Sequence, residues 1–180
     1  MVEIKDFFKR NRTVIIISII VIVLGSIFHF IYQWTNENKV IGLVTPVDES
    51  VWEHLKLILI PQIIAVTIEY VLTRRKLNNV AFGTLIGSLV GMGLVVAVFY
   101  TYVGAITHPK SNLIVDILIF AGAAIAAAIV STRYFKRKQM PVLYSNIGIA
   151  GLILLVIGFG IFSYMKPNLP IFAPPPEDHQ

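Results

Sequence analysis

Thr45–Leu72 reads TPVDESVWEHLKLILIPQIIAVTIEYVL. From about Val51 onward it is long and apolar enough to cross a bilayer, since ~20 helical residues at ~1.5 Å each span the hydrocarbon. Its first dozen residues nevertheless pack Asp48, Glu49, Glu53, His54 and Lys56 into the mouth of that span. Intramembrane ionisable groups are expensive and face a protein interior or a wet cavity. Thr45-Pro46-x-Asp48 reads as a helix start, with Thr45 as cap and Pro46 in the first turn. Continued as one helix, the stretch carries Glu49, Trp52, Glu53 and Lys56 on one face, at i, i+3, i+4 and i+7. His54 then points about 100° away from Glu53. Pro61 predicts a kink, because a carbonyl one turn back loses its donor.

The rest of the chain repeats the apolar theme. Of 180 residues, 56% are hydrophobic and 14% charged, against ~25% charged in soluble domains; mean hydropathy is +0.78. Spans are expected at about 13–34, 51–72, 80–102, 113–134 and 142–164, followed by an extended proline-rich tail at 165–180. The first has a basic leader like a signal peptide, but it is too long for one and lacks a small-x-small cleavage site. The expected fold is all-α, a single polytopic transmembrane bundle of five helices. Cysteine is absent, which excludes disulfides, thiolate metal sites and cysteine nucleophiles. The net charge of +5 comes from short basic blocks beside apolar runs, a topology signal rather than a nucleic-acid surface.

Those blocks alternate. Four Lys/Arg precede the first span, three follow the second (Arg74, Arg75, Lys76) and four end the fourth, against Lys39, Lys110 and Lys166 on the other side. The positive-inside rule places the N-terminus in the cytoplasm and the C-terminus outside a bacterial plasma membrane. His29, Glu49, Glu53, His54, Lys56, Tyr100 and Asp116 then fall in one outer layer, with His108 in the adjoining loop. Asp116 is read either as a site member or as a cap of its own helix. Glu69, near the cytoplasmic end, is expected to pair with the basic loop. Gly83, Gly87 and Gly91 recur every fourth residue, a pattern that lets helices approach closely. It suits packing within the chain or, alternatively, a homo-oligomer seam.

HFIYQW (His29–Trp34), Gly42 and PVDESVWEHLKL resemble an uncharacterised family of small, mostly Gram-positive bacterial integral membrane proteins, a domain of unknown function. Asp48 stands where the family pattern has Asn. The resemblance continues at YTYVG (Tyr100–Gly104), VDILIF (Val115–Phe120) and LPIF (Leu169–Phe172), where the family pattern often extends further. It carries His29, Glu49, Trp52, Glu53, His54, Lys56 and Asp116 as pattern positions, and no activity.

Three functions fit the residues. One is an outward-facing polar pocket binding or transporting a small polar or lipidic ligand through His29, Glu49, Trp52, Glu53, His54, Lys56, Tyr100 and Asp116. Another is a metal-dependent intramembrane hydrolase, with a divalent ion such as zinc on His29, Glu53 and His54. The spacing offers no His-Glu-x-x-His, and Lys56 opposes a cation. The last is a non-enzymatic assembly subunit. Phosphate loops, nucleophile elbows and dinucleotide fingerprints are absent from the sequence.

Overall fold

The computed structural model describes residues 2–73, 77–103 and 112–173. Arg74–Lys76, His108, Lys110 and Pro174–Pro176, all invoked above, lie outside the described residues. The helices are α1 (Val2–Trp34), α2 (Val51–His54), α3 (Lys56–Leu72), α4 (Val80–Tyr102), α5 (Leu113–Phe135) and α6 (Val142–Tyr164). Single 3-10 turns occur at Ile41–Leu43 and Pro170–Phe172, and no strand occurs among the described residues. Among the described residues, five segments are long and apolar enough to cross a membrane: Arg10–Trp34, Val51–Leu72, Val80–Tyr102, Leu113–Phe135 and Val142–Tyr164. This is the build of a multi-pass membrane protein.

The second span is the axis of the bundle. Its apolar window is 56% buried, against 22–39% for the others, and α3 touches α1, α4, α5 and α6. Pro61 lies inside α3. The Leu57 carbonyl one turn back lacks its helical donor, and here α1 comes close: a Cβ on Gly25 would lie 2.9 Å from that oxygen.

Glycine sets the other close crossing. Gly83, Gly87 and Gly91 all face α5, where Ala123, Ala124, Ala127 and Ala128 are buried. A Cβ on Gly87 would come within 2.6 Å of the Ala127 carbonyl oxygen and collide with the Ser131 hydroxyl. The face read alternatively as an oligomer seam is therefore occupied by a helix of the same chain. Asn79, at φ 52°, clamps α4 to the end of α5: its Nδ2 donates to the carbonyls of Tyr134 and Lys138, and its Oδ1 accepts from the Met140 amide.

The expected helix start at Thr45 is corrected. Residues 45–50 form an irregular, partly buried turn, and Ser50 is the cap, its hydroxyl accepting from the Glu53 amide at 3.4 Å. Thr45 instead points its hydroxyl back to the Ile41 carbonyl, closing the 3-10 turn (2.9 Å). Asp116 does not cap its helix; Asn112 does, accepting from the amides of Ile114 and Val115.

Candidate functional site

Two polar arrangements grow out of Thr45–Lys56, and they face different ways. Helix α2 continues through Leu55, itself in the right-handed helical region, into α3, and Glu49 precedes both, before the Ser50 cap. The 100° step from residue to residue thus does not run from Glu49 to Lys56.

The first arrangement is closed. Lys56 and Glu53 are both fully buried, with Lys56 Nζ 2.7 Å from Glu53 Oε2. The ammonium also donates to the Gly42 carbonyl (2.7 Å), the Thr45 carbonyl (3.0 Å) and the Ser163 hydroxyl (2.6 Å). Three hydrogens thus serve four acceptors. Glu53 Oε2 accepts from the Val47 amide as well (2.9 Å), and Ser163 passes its own hydrogen to the Phe159 carbonyl. The clamp joins the 42–47 loop, α2, α3 and α6. Gly42 is needed there because a Cβ would lie 2.6 Å from Val47 Cγ1 and 2.9 Å from the Tyr32 ring. Trp52 packs beside it, its ring against Phe159, Phe162 and Phe172 at centroid distances of 4.4, 5.6 and 4.7 Å. That contact seats the Pro170–Phe172 turn on α2.

The second arrangement is open. His54 Nε2 lies 3.4 Å from Glu49 Oε2, and His29 Nε2 lies 3.9 Å from Glu49 Oε1. The imidazole rings are 5.2 Å apart. Side-chain exposures of 28%, 32% and 56% for His29, His54 and Glu49 leave the group reachable from outside. His54 Nδ1 donates to the Ser50 carbonyl at 2.9 Å, an acceptor only, so that nitrogen carries the hydrogen and Nε2 is turned to Glu49. Hydrogen bonding to His54 holds the Glu49 carboxyl below its ordinary range, against the opposing effect of partial burial. Asp48 takes no part. It accepts from the Ser50 amide and pairs with Lys166, fastening the turn to the segment after α6.

Below the histidines runs a cleft of about 240 Å³ between α1, α3 and α5. Its walls are mainly apolar, including Phe30, Leu57, Ile117 and Phe120, and His29, His54 and Asp116 stand in it. A smaller cleft of about 80 Å³, towards α4, shares His54, Leu57, Asp116 and Phe120 and adds Glu49.

A family model described as a family of unknown function, DUF6512, matches residues 2–175. The chain belongs to DUF6512. No curated protein and no solved structure matches it.

Within this DUF6512 chain the eight residues singled out from sequence divide by position. His29, Glu49, His54 and Asp116 line two adjoining clefts that share wall residues. Glu53 and Lys56 are withdrawn into the clamp, so Glu53 does not join His29 and His54, and Lys56 turns inward rather than towards the surface. Trp52 belongs to the aromatic contact with α6. Tyr100 is exposed and meets Phe99 edge-on, outside both clefts. Sequence reading missed Ser163 and the Gly42 and Thr45 carbonyls. Backbone acceptors carry no residue-type signal, and a serine near a helix end is common. At the opposite end Glu69 is fully buried and accepts from the Thr13 hydroxyl (2.9 Å), with no ion pair among the described residues.

Proposed function

We propose that this chain holds an amphiphilic small molecule at the outer face of a bacterial plasma membrane, with its N-terminus in the cytoplasm. The observation that carries the reading is that one cleft offers two chemistries in sequence. Its apolar walls suit a hydrocarbon portion, and His29, His54 and Asp116 suit a polar head, with Glu49 beside them. Phe30, Leu113 and Ile117 line the cleft and are also exposed on the apolar surface. A lipid-like molecule would therefore enter sideways from the bilayer. The orientation is supported by charge: Arg10, Arg12, Arg133 and Lys136 lie at the end away from the histidines, where Lys136 Nζ reaches the Arg10 carbonyl (3.2 Å).

Photolabelling tests this reading. The protein is reconstituted with a phospholipid carrying a diazirine on its acyl chain, and labelled peptides are mapped. Labelling is expected to concentrate on the α1 and α5 walls and to fall several-fold in Ile117→Trp. Labelling no stronger there than on the exposed face of α6 around Ile153 and Leu154, and indifferent to Ile117→Trp, overturns it.

A further inference from the structure

We propose that His29 Nε2, Glu49 and His54 Nε2 form a three-ligand site for a zinc-class divalent ion, with an open position towards the α1–α5 cleft. This goes beyond amphiphile binding and does not rest on it.

The donor set comes from three separate pieces of chain: α1, the turn before Ser50, and α2. One ligand atom from each lies within 4.8 Å of the others. A tetrahedral zinc ion with ligand bonds of ~2.0–2.2 Å holds its donors about 3.4 Å apart. The His54–Glu49 separation is already 3.4 Å and the His29–Glu49 separation 3.9 Å, so a side-chain adjustment at His29 completes the set. Imidazole and carboxylate are the donors that such a borderline ion accepts.

His54 is held as metal-binding histidines are held. Its Nδ1 hydrogen is committed to the Ser50 carbonyl, which directs Nε2 at Glu49, where a metal can replace the proton shared with the carboxylate. Nε2 and the carboxylate, 3.4 Å apart, need a proton or a cation between them. A metal between Nε2 and Glu49 would satisfy both.

The charge objection raised by Lys56 disappears in three dimensions. Its ammonium is buried in the clamp and matched by Glu53, leaving no lysine among the groups that line the clefts. With two neutral imidazoles and one carboxylate, a divalent ion leaves the site with net positive charge. Asp116, which shares both clefts with His54, stands on the side of the open position. That position would take water or an anionic oxygen such as a phosphate or carboxylate head. Bare, the same cluster offers such a head only the two imidazoles, beside the Glu49 and Asp116 carboxylates. The metal therefore decides the class of head group that the cleft accepts.

The test is a cobalt titration of chelator-treated protein in detergent, without added lipid. The expected result is one equivalent bound, with the intense visible absorption of tetrahedral cobalt, displaced by zinc. Glu49→Gln and His54→Ala should each weaken binding on the order of tenfold or more. Glu49 is exposed, so the Gln variant retains the fold, which its melting curve checks. Tyr100→Phe should bind as the wild type does. No binding, or binding unchanged in a His29→Ala/His54→Ala double variant, overturns the site. Photolabelling does not require the metal and this titration does not require the amphiphile, so either can fail alone.

Discussion

Glu49 with His54 and Glu53 with Lys56 interleave along eight residues, yet they have opposite fates. The Glu53–Lys56 pair has no exposed surface, and its ammonium donates to groups on two other pieces of chain, the 42–47 loop and α6. The Glu49–His54–His29 group is a quarter to a half exposed and spaced at 3.4 and 3.9 Å, longer than a strong charged hydrogen bond. Identical residue classes thus do two jobs. In one set the ammonium is fully met by its neighbours, and the pair holds the fold together. The other keeps unused coordination directed at a cleft, which is what binding requires.

Removing one partner should separate the two most sharply. Lys56→Met leaves Glu53 buried without its counter-charge, which costs about 3–5 kcal/mol. Unfolding in detergent should register that loss, and Lys56→Met combined with Glu53→Leu should recover a large part of it, since the desolvation of both ions is removed. A single variant as stable as the wild type would make the clamp a bystander.

An intermediate effect is expected where packing rather than charge is decisive. Gly87→Ala drives a methyl into the Ala127 carbonyl and the Ser131 hydroxyl. Ser131 also accepts from the buried Gln62 amide at 3.0 Å, so the intrusion disturbs the α3–α5 contact too. Overpacking of this kind costs about 1–3 kcal/mol. The same unfolding assay should show it with the oligomeric state unchanged; a shift in oligomeric state with stability preserved would return the glycines to a subunit seam.

The smallest stability effect belongs to the open cluster. Glu49→Gln should move unfolding by no more than about 0.5 kcal/mol, the range of exposed substitutions. Unfolding curves that shift as far as those of Lys56→Met would erase the distinction between clamp and site.

Much of this was legible in the residues. Apolar runs bounded by basic blocks require helices in a bilayer, because lone backbone groups there must be satisfied within the segment. The glycine period announced a close helix contact, and antiparallel threading brings His29, His54 and Asp116 to one end. What failed was the assumption of an unbroken helix from Thr45. Ser50 and Thr45 are both good caps by type. Choosing Ser50 leaves Glu49 outside the helix and free to meet His54, which a regular helix would have turned away. The inward turn of Lys56 was equally hidden, because three of its four acceptors lie seven or more residues away or are backbone carbonyls.

By itself the sequence determined the number of apolar helices, their polar ends and the residue types available for chemistry, since those follow from hydropathy and charge along the chain. Only the tertiary structure decided which carboxylate pairs with which cation. That choice depends on the cap at Ser50, which leaves Glu49 outside the helix, and on groups from α1 and α6, and long-range partners leave no periodic mark in the chain.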